Sequence, residues 1–456
     1  MSLEQIHIFH TNDIHSCFEN WPRIVSYIKK HRTKDTLYID LGDHADRSDS
    51  MTEGTRGRGN VRLLNEANVD YVTIGNNEGI TFSKEELEAL YHDANFSVLL
   101  ANLYHRDGMR PKWVRESTIH VTSGGIKIGL IGLTAPFTFF YEQLGWKIEQ
   151  PEESLAKLIP DLKKRVDVLI LISHLGLLKD EELAASFPEI DLIIGAHSHH
   201  VLPNGRRVNE TLIVQTGKHG AYLGEVTIDV QIETKRIIKS EAQLIDVSGE
   251  PCDEETVRLL ETLREEAKRV LDEKVARIPR RLHVDWLEES EGLQFLCDAV
   301  TEWCNEKIGM VHAGVLLDSI DEGWVTKGDL HRICPHPINL CVVKVTGAQL
   351  ASTIERAFTD EIRFLKLKGF GFRGEILGRL IFTGIDVKLK DDETVDEVYV
   401  LGKALDYEQK YSVATLDMYT FGYIFPAIAE AEEKNYFMPE FLRDVLAWKI
   451  KTLWQR

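Results

Sequence analysis

Two aspartates, one asparagine and four histidines stand just beyond short apolar runs in the N-terminal half of the chain, and that mix of side chains suits a pair of divalent cations. The runs are 6–9, leading into Asp13 and His15; 36–41, into Asp43; 71–74, into Asn76; 168–172, into His174; and 192–194, into His197 and His199. Asp13 and His15, two residues apart, can be aimed at one ion by a single tight loop. Asp43 follows Gly42, where the backbone can come close, and a carboxylate there can bridge two ions. Asn76 adds a neutral amide oxygen. Two divalent ions about 3.5–4 Å apart would make a hydroxide from water and neutralise phosphate oxygens during in-line attack. The chemistry expected is phosphoester hydrolysis without a covalent enzyme intermediate. The ions could be Mn, Zn, Fe or Co, all of which accept these ligands.

Those side chains need strands to carry them. Each run is three to six residues of mostly Ile, Val, Leu or Tyr, as for a strand covered on both faces. A polar residue just past such a strand lies at the carboxyl edge of the sheet, where open α/β folds build their sites. Further strands are expected at 98–100, 128–131, 212–214 and 226–232, with helix-like spacing at 24–30, 61–67 and 84–91. Ser83 with Glu86 three residues on forms a capping-box pattern. Alternation of strands and helices to about residue 245 predicts an α/β domain over 1–250. Residues 251–275 are densely charged, with an apolar stripe through Val257, Leu260, Leu263, Ala267 and Leu271, and predict a connecting helix between Pro251 and Pro279. Residues 276–456 predict a second α/β domain with strands at 340–345 and 379–389.

A chain of 456 residues exceeds one compact core. Its net charge of −19 speaks against a general binder of nucleic acid polymers or anionic membranes, yet leaves a phosphorylated small substrate open, because bound divalent ions invert the local field. The six cysteines form no Cys-x-x-Cys pair and suit buried small hydrophobes. The N-terminal residues lack a signal-peptide pattern and no 18-residue apolar run occurs, so a soluble, cytoplasmic chain is expected. No Gly-x-Ser-x-Gly elbow and no Walker loop is present. The glycine-rich stretch 53–60 is expected as a mobile loop from which Arg56 and Arg58 could reach an anionic substrate. A second glycine-rich loop lies at 369–374.

The segments HTNDIHS (10–16), LGD (41–43), GNNE (75–78), SHLG (173–176) and GAHSH (195–199) together resemble the 5′-nucleotidase and UDP-sugar hydrolase family, a branch of the calcineurin-like metallophosphoesterases. QTGKHGAYLGEV (215–226), TKGDL (326–330) and VKVTGAQL (343–350) extend the resemblance over nearly the whole chain. It implies a four-layer α-β-β-α metallophosphoesterase domain followed by a C-terminal α/β 5′-nucleotidase-like domain that recognises substrate. By this resemblance Asp13, His15, Asp43 and His199 would hold one metal, and Asp43, Asn76, His174 and His197 the other. The substrate implied is a nucleotide-like phosphomonoester or pyrophosphate.

The chain departs from that family where protons and nucleosides are handled. The family usually reads Gly-Asn-His-Glu-Phe-Asp; here the stretch is Gly75-Asn76-Asn77-Glu78-Gly79-Ile80. Asn77 can donate a hydrogen bond to a phosphate oxygen but cannot give up a proton, and general acid catalysis is worth about 10²–10⁴-fold. His44 and His219 are candidate substitutes. In place of the family's Asn-x-Gly-Gly-Ile-Arg stands 312–317 without an arginine, and its Pro-Phe-Gly stretch corresponds to Pro335-His336-Pro337. Its Gly-Gly-Asp-Gly-Tyr stretch survives only as Gly422 and Tyr423. His336, Met418, Tyr419, Phe421 and Tyr423 are candidate pocket residues. Two rival readings follow from the missing acid: a metal-binding pseudoenzyme that holds a ligand, and a phosphodiesterase of cyclic nucleotides or other diesters.

Overall fold

The computed structural model describes residues 2–455, which form two units, one ending at Ala267 and the other starting at Lys268. In the first, parallel pairing joins Leu3–Thr11, Thr36–Asp40, Tyr71–Val72, Ser97–Leu99 and Val114–Arg115, and the antiparallel strands Leu223–Gln231 and Arg236–Ile245 complete a seven-stranded sheet. A six-stranded sheet has parallel Lys127–Thr134, Val168–His174, Leu192–Ile194 and Thr211–Val214 at its centre, with antiparallel edges Ser117–Val121 and Arg206–Val208. Parallel strands finish at the same edge, so the loops after Thr11, Asp40, His174 and Ile194 open where the candidate ligands begin.

Side chains alternate across each strand, which explains the unbroken apolar runs. Ile6, Ile8, Leu37 and Ile39 of the first sheet share one core cluster with Ile128, Leu130, Ile170 and Ile172 of the second. The opposite faces are also covered. Phe9 and Tyr38 pack with Trp21, Ile24, Leu63 and Leu263 from helices. Leu169 and Leu171 pack with Leu155, Ile159 and Leu183. The result is a helix–sheet–sheet–helix sandwich, as the resemblance implied. Ser83 caps the helix Lys84–Leu90 through the reciprocal Glu86 bond.

The charged helix Glu254–Leu271 buries Leu260, Leu263 and Ala267 in the first unit's outer cluster. A Cβ at Gly54 would lie 2.6 Å from the Ala267 Cα, so this helix lies directly on the helix Ser50–Thr55. The glycine-rich stretch 53–60 is therefore not a mobile loop. It forms the end of that helix, a tight left-handed turn at Arg56 and Gly57 (φ 52° and 73°), and the start of the helix Arg58–Glu66.

The second unit has a five-stranded sheet in the order Leu380–Thr383, Gly309–His312, Lys410–Leu416, Asn339–Thr346, Glu433–Phe441. The helices Glu291–Trp303, Gly347–Ala357 and Leu442–Trp454 contribute Leu296, Val300, Leu350, Ile354, Leu446 and Ile450 to its core. The single strand expected over 379–389 is broken at Gly384, where φ is 72° and a Cβ would meet the Lys307 carbonyl oxygen at 2.3 Å. Its second half, Ile385–Leu389, pairs into a separate three-stranded sheet. No described helix is long and apolar enough to cross a membrane.

Candidate metal centre

The loops after the strands are laced together by their own backbones. Asp13 N–H donates to the Gly42 carbonyl (3.1 Å) and His15 N–H to that of Asp43 (2.8 Å). To turn each side chain into the same space, five of the seven candidate ligands adopt left-handed backbone: Asp13 (φ 51°), His15 (48°), Asp43 (48°), His197 (70°) and His199 (56°). Such conformations cost on the order of 1 kcal/mol or more each and persist only where surrounding contacts over-determine them. Buried Glu78 supplies part of that restraint. Its carboxylate accepts from Asp43 N (2.8 Å), Gly75 N (2.9 Å) and Ala45 N (2.8 Å). Asn12 supplies more, donating to Asp13 Oδ2 (2.7 Å) and the Gly217 carbonyl (2.8 Å) while accepting from Thr216. At Gly75 no side chain fits, since a Cβ would lie 2.0 Å from Asp43 Oδ1.

Two ligand groups result. His15 Nε2, His199 Nε2 and Asp13 Oδ1 converge, with His199 3.3 Å from His15 and 3.4 Å from Asp13. His174 Nε2 lies 3.5 Å from Asp43 Oδ2 and 3.9 Å from Asp13 Oδ1. His174 Nδ1–H donates to the Leu41 carbonyl at 2.7 Å, which turns Nε2 toward the carboxylates. His197 lies beside this second group, its ring 5.3 Å from that of His174 and its Nδ1 2.8 Å from Asn76 Oδ1. His197 N–H also donates to Asp13 Oδ2 (3.0 Å). Asp46 Oδ2, 3.4 Å from His15 Nδ1, steadies the other imidazole.

Charge balance fits a cation. Asp13 Oδ1 and His174 Nε2 are both fully buried, and neither has a hydrogen-bond partner. Burial alone would raise the Asp43 carboxyl, but the His174 and His15 charges and the Asn77 N–H hold it below the usual range. Burial would likewise lower His174, but Asp43 and Asp13 push it up to about 10. The pair of carboxylates thus demands positive charge, which a proton on His174 or a metal ion can provide. Burial and the neighbouring His174 take His197 down to about 4, so it is neutral and ready to ligate.

Family models match the chain as calcineurin-like phosphoesterase over residues 6–201 and as 5′-nucleotidase, C-terminal domain, over 271–427. The metallophosphoesterase YunD of Bacillus subtilis is 43% identical over 98% of this chain and 99% of its own. The chain belongs to the calcineurin-like metallophosphoesterases. It is accordingly a metal-dependent phosphoester hydrolase with a 5′-nucleotidase C-terminal domain. Among solved structures, the Haemophilus influenzae NAD nucleotidase shares the fold with TM-score 0.70 at 16% identity, covering 99% of this chain and 97% of that one. A Staphylococcus aureus 5′-nucleotidase does so with TM-score 0.68 at 19% identity, covering 97% and 96%.

The other candidate residues of this metallophosphoesterase are placed less uniformly. Asn77 faces inward, its N–H and Nδ2 each donating to one Asp43 carboxylate oxygen at 2.7 Å. His44 does not join the site. It is buried against Trp21 at a ring separation of 4.7 Å, and burial lowers it to about 3. His219 is solvent-exposed but partly enclosed, with its ring 5.9 Å from that of His15, and this partial desolvation together with Lys218 lowers it to about 4. Arg56 and Arg58 are exposed, and Arg56 pairs with Glu53 and Glu86. In the second unit His336 and Tyr419 are closed inside the core rather than lining a pocket. His336 stacks on Phe372 (5.4 Å) and the Tyr419 hydroxyl contacts His312 Nδ1 (2.7 Å). Phe421 and Tyr423 are exposed and stack with Phe370, at centroid separations of 5.4 and 6.3 Å. Glu78 and Asn12 lie within the GNNE and HTNDIHS segments, but neither they nor Asp46 carry a residue type or spacing that marks them as supports.

Proposed function

We propose that this metallophosphoesterase cleaves a nucleotide-like phosphomonoester or pyrophosphate at a two-metal centre. Asp13, His15, Asp43 and His199 would hold one ion, and Asp43, Asn76, His174 and His197 the other. The observation that carries this reading is the pair of buried atoms that make no hydrogen bond, Asp13 Oδ1 and His174 Nε2, facing each other beside Asp43 Oδ2. Bound divalent ions supply Lewis-acid stabilisation of phosphate charge and lower the pKa of water. The protein's own part is to fix the ligands. Glu78 holds the Asp43 and Asn76 loops together, Leu41 sets the His174 tautomer, and Asn77 holds both Asp43 oxygens. A nucleotide-like substrate is supported by the exposed aromatic cluster Phe370, Phe421 and Tyr423 of the second unit, side chains of the kind that pack on a base.

One observation favours a second substrate class. Asn77 stands where the family supplies an acid, and an amide cannot protonate a departing alkoxide. Pyrophosphates, and diesters with a good leaving group, whose departing oxygen needs little protonation, are the better substrates on this account. The test is purified protein with Mn²⁺ on 5′-nucleoside monophosphates, NAD, UDP-glucose, p-nitrophenyl phosphate and its bis-ester. Metal-dependent turnover of NAD, UDP-glucose and the bis-ester, lost in Asp43→Asn, is expected. Inactivity on the whole panel, with Asp43→Asn unchanged from wild type, would refute the proposal.

A further inference from the structure

Behind the ligands lies a buried polar chain that none of the chemistry above uses. Asp180, on the helix Leu177–Ser186, is fully buried. Its Oδ1 accepts from Ser173 Oγ at 2.5 Å, and Ser173 immediately precedes His174. Its Oδ2 accepts from Gln215 Nε2 at 3.2 Å. Gln215, also fully buried, accepts at its Oε1 from Ser198 Oγ (3.2 Å) and His200 N (3.3 Å). Ser198 sits between His197 and His199, and its Oγ in turn accepts from Leu177 N at 2.9 Å. The backbone leading to His197 is pressed against the same pair: a Cβ at Gly195 would lie 2.3 Å from Asp180 Oδ2 and 2.8 Å from Gln215 Nε2.

We propose that Asp180 and Gln215 are positioning residues that set the distance between His174 and the loop carrying His197 and His199. The inference rests on the ligand assignment above. The donors and acceptors run in one direction. A carboxylate can only accept, so Gln215 must turn its NH₂ toward Asp180 and its oxygen toward Ser198 and His200. An amide in place of the Asp180 carboxylate would set its NH₂ either against that of Gln215 or, turned over, against Ser173 Oγ, whose proton then loses the buried acceptor it has here. Turning the Gln215 amide over would only move the clash to the His200 N–H. A carboxylate in place of the Gln215 amide would leave two buried acids face to face. Exchanging both together restores every contact. The amide introduced by Asp180→Asn then accepts from Ser173 and donates to the carboxylate introduced by Gln215→Glu, which accepts from Ser198 and His200.

The experiment titrates Mn²⁺ into metal-free wild type, Asp180→Asn, Gln215→Glu and the double exchange by calorimetry, well below each protein's unfolding temperature, with Tm measured in parallel. Loss of a residue that orients metal ligands typically weakens binding by about 10–100-fold. Each single variant is expected to bind Mn²⁺ at least about tenfold more weakly, and the double exchange to return within about threefold of wild type. Single variants that lower Tm yet bind Mn²⁺ like wild type would overturn the proposal, as would a double exchange as weak as the two losses combined. His174→Ala and His197→Ala serve as controls. If they too bind Mn²⁺ normally, the ligand assignment itself has failed; if they lose it while Asp180→Asn does not, only the positioning role has failed.

Discussion

Metal binding should be coupled to proton release, and in the ligand group that contains Asp43 the source of the proton is His174. In the metal-free protein its ring is pushed up to about 10 against the effect of burial, by Asp43 and Asp13. Its Nδ1–H is committed to the Leu41 carbonyl, so the proton an ion must displace is the one on Nε2. From the gap between pH 7 and about 10, at ~1.4 kcal/mol per pH unit, that displacement costs about 4 kcal/mol at neutral pH. His197, down at about 4, is already neutral and releases nothing. Mn²⁺ affinity at the His174 site is therefore expected to rise about tenfold per pH unit between roughly pH 6 and 9, levelling above about 10. Calorimetry in buffers of different ionisation enthalpy counts the protons directly. About one should leave from this site, and His174→Ala should abolish that release. The metal-free fold responds in the opposite sense. Because the folded value is raised, the contribution of His174 to stability is complete below its ordinary 6.5 and is lost as pH rises through about 10. Affinity that is flat from pH 6 to 9 with no proton released would refute the picture of a proton and a metal competing for one buried site.

Three further outcomes follow from the packing and the site. Gly75→Ala forces a Cβ to within 2.0 Å of Asp43 Oδ1, so Mn²⁺ binding should weaken more than tenfold with about 1–3 kcal/mol of stability lost; unchanged calorimetric binding would contradict the tight approach. Asn77→His should raise kcat on alkyl phosphomonoesters, up to the ~10²–10⁴-fold range of general acid catalysis, while p-nitrophenyl phosphate changes far less; an equal effect on both, read from steady-state rates, would mean that proton donation is not what this site lacks. Leu263→Ala, at a fully buried position of the charged helix, should cost about 2–5 kcal/mol in urea unfolding, whereas a surface-lying linker helix would lose almost nothing.

The sandwich was readable because parallel strands buried on both faces leave a plain mark. In 168–172 every residue is apolar, and the structure divides them strictly, with Val168, Ile170 and Ile172 between the sheets and Leu169 and Leu171 beneath helices. Where backbone conformation rather than hydrophobic pattern decides the outcome, the residue pattern alone misleads. The run 379–389 looks like one strand, but Gly384 must leave its Cβ position to the Lys307 carbonyl and turns the chain into another sheet. The stretch 53–60 looks like a loop because of its glycines. Gly54 is there for close helix contact with Ala267, and Gly57 for a left-handed turn.

At the site, the sequence offers candidate residue types but not their direction. An aspartate or histidine past a strand end is a candidate ligand, but nothing in the letters says that Asp13, His15, Asp43, His197 and His199 all take left-handed backbone. That strain needs anchors, and the anchors are polar residues with no metal-ligand signature of their own: Glu78 beneath two loops, Asn12 against Thr216 and Gly217, and Asp180 with Gln215 behind two more. His44 illustrates the converse. Adjacent to Asp43, it is an attractive acid by position, yet with Asp43 turned left-handed it packs on Trp21. Neighbours in the chain diverge at a left-handed residue, while residues far apart are tied by a buried carboxylate. The supports of such a centre are therefore better sought among buried Asp, Glu, Asn and Gln near each ligand-bearing loop than among the ligands' immediate neighbours.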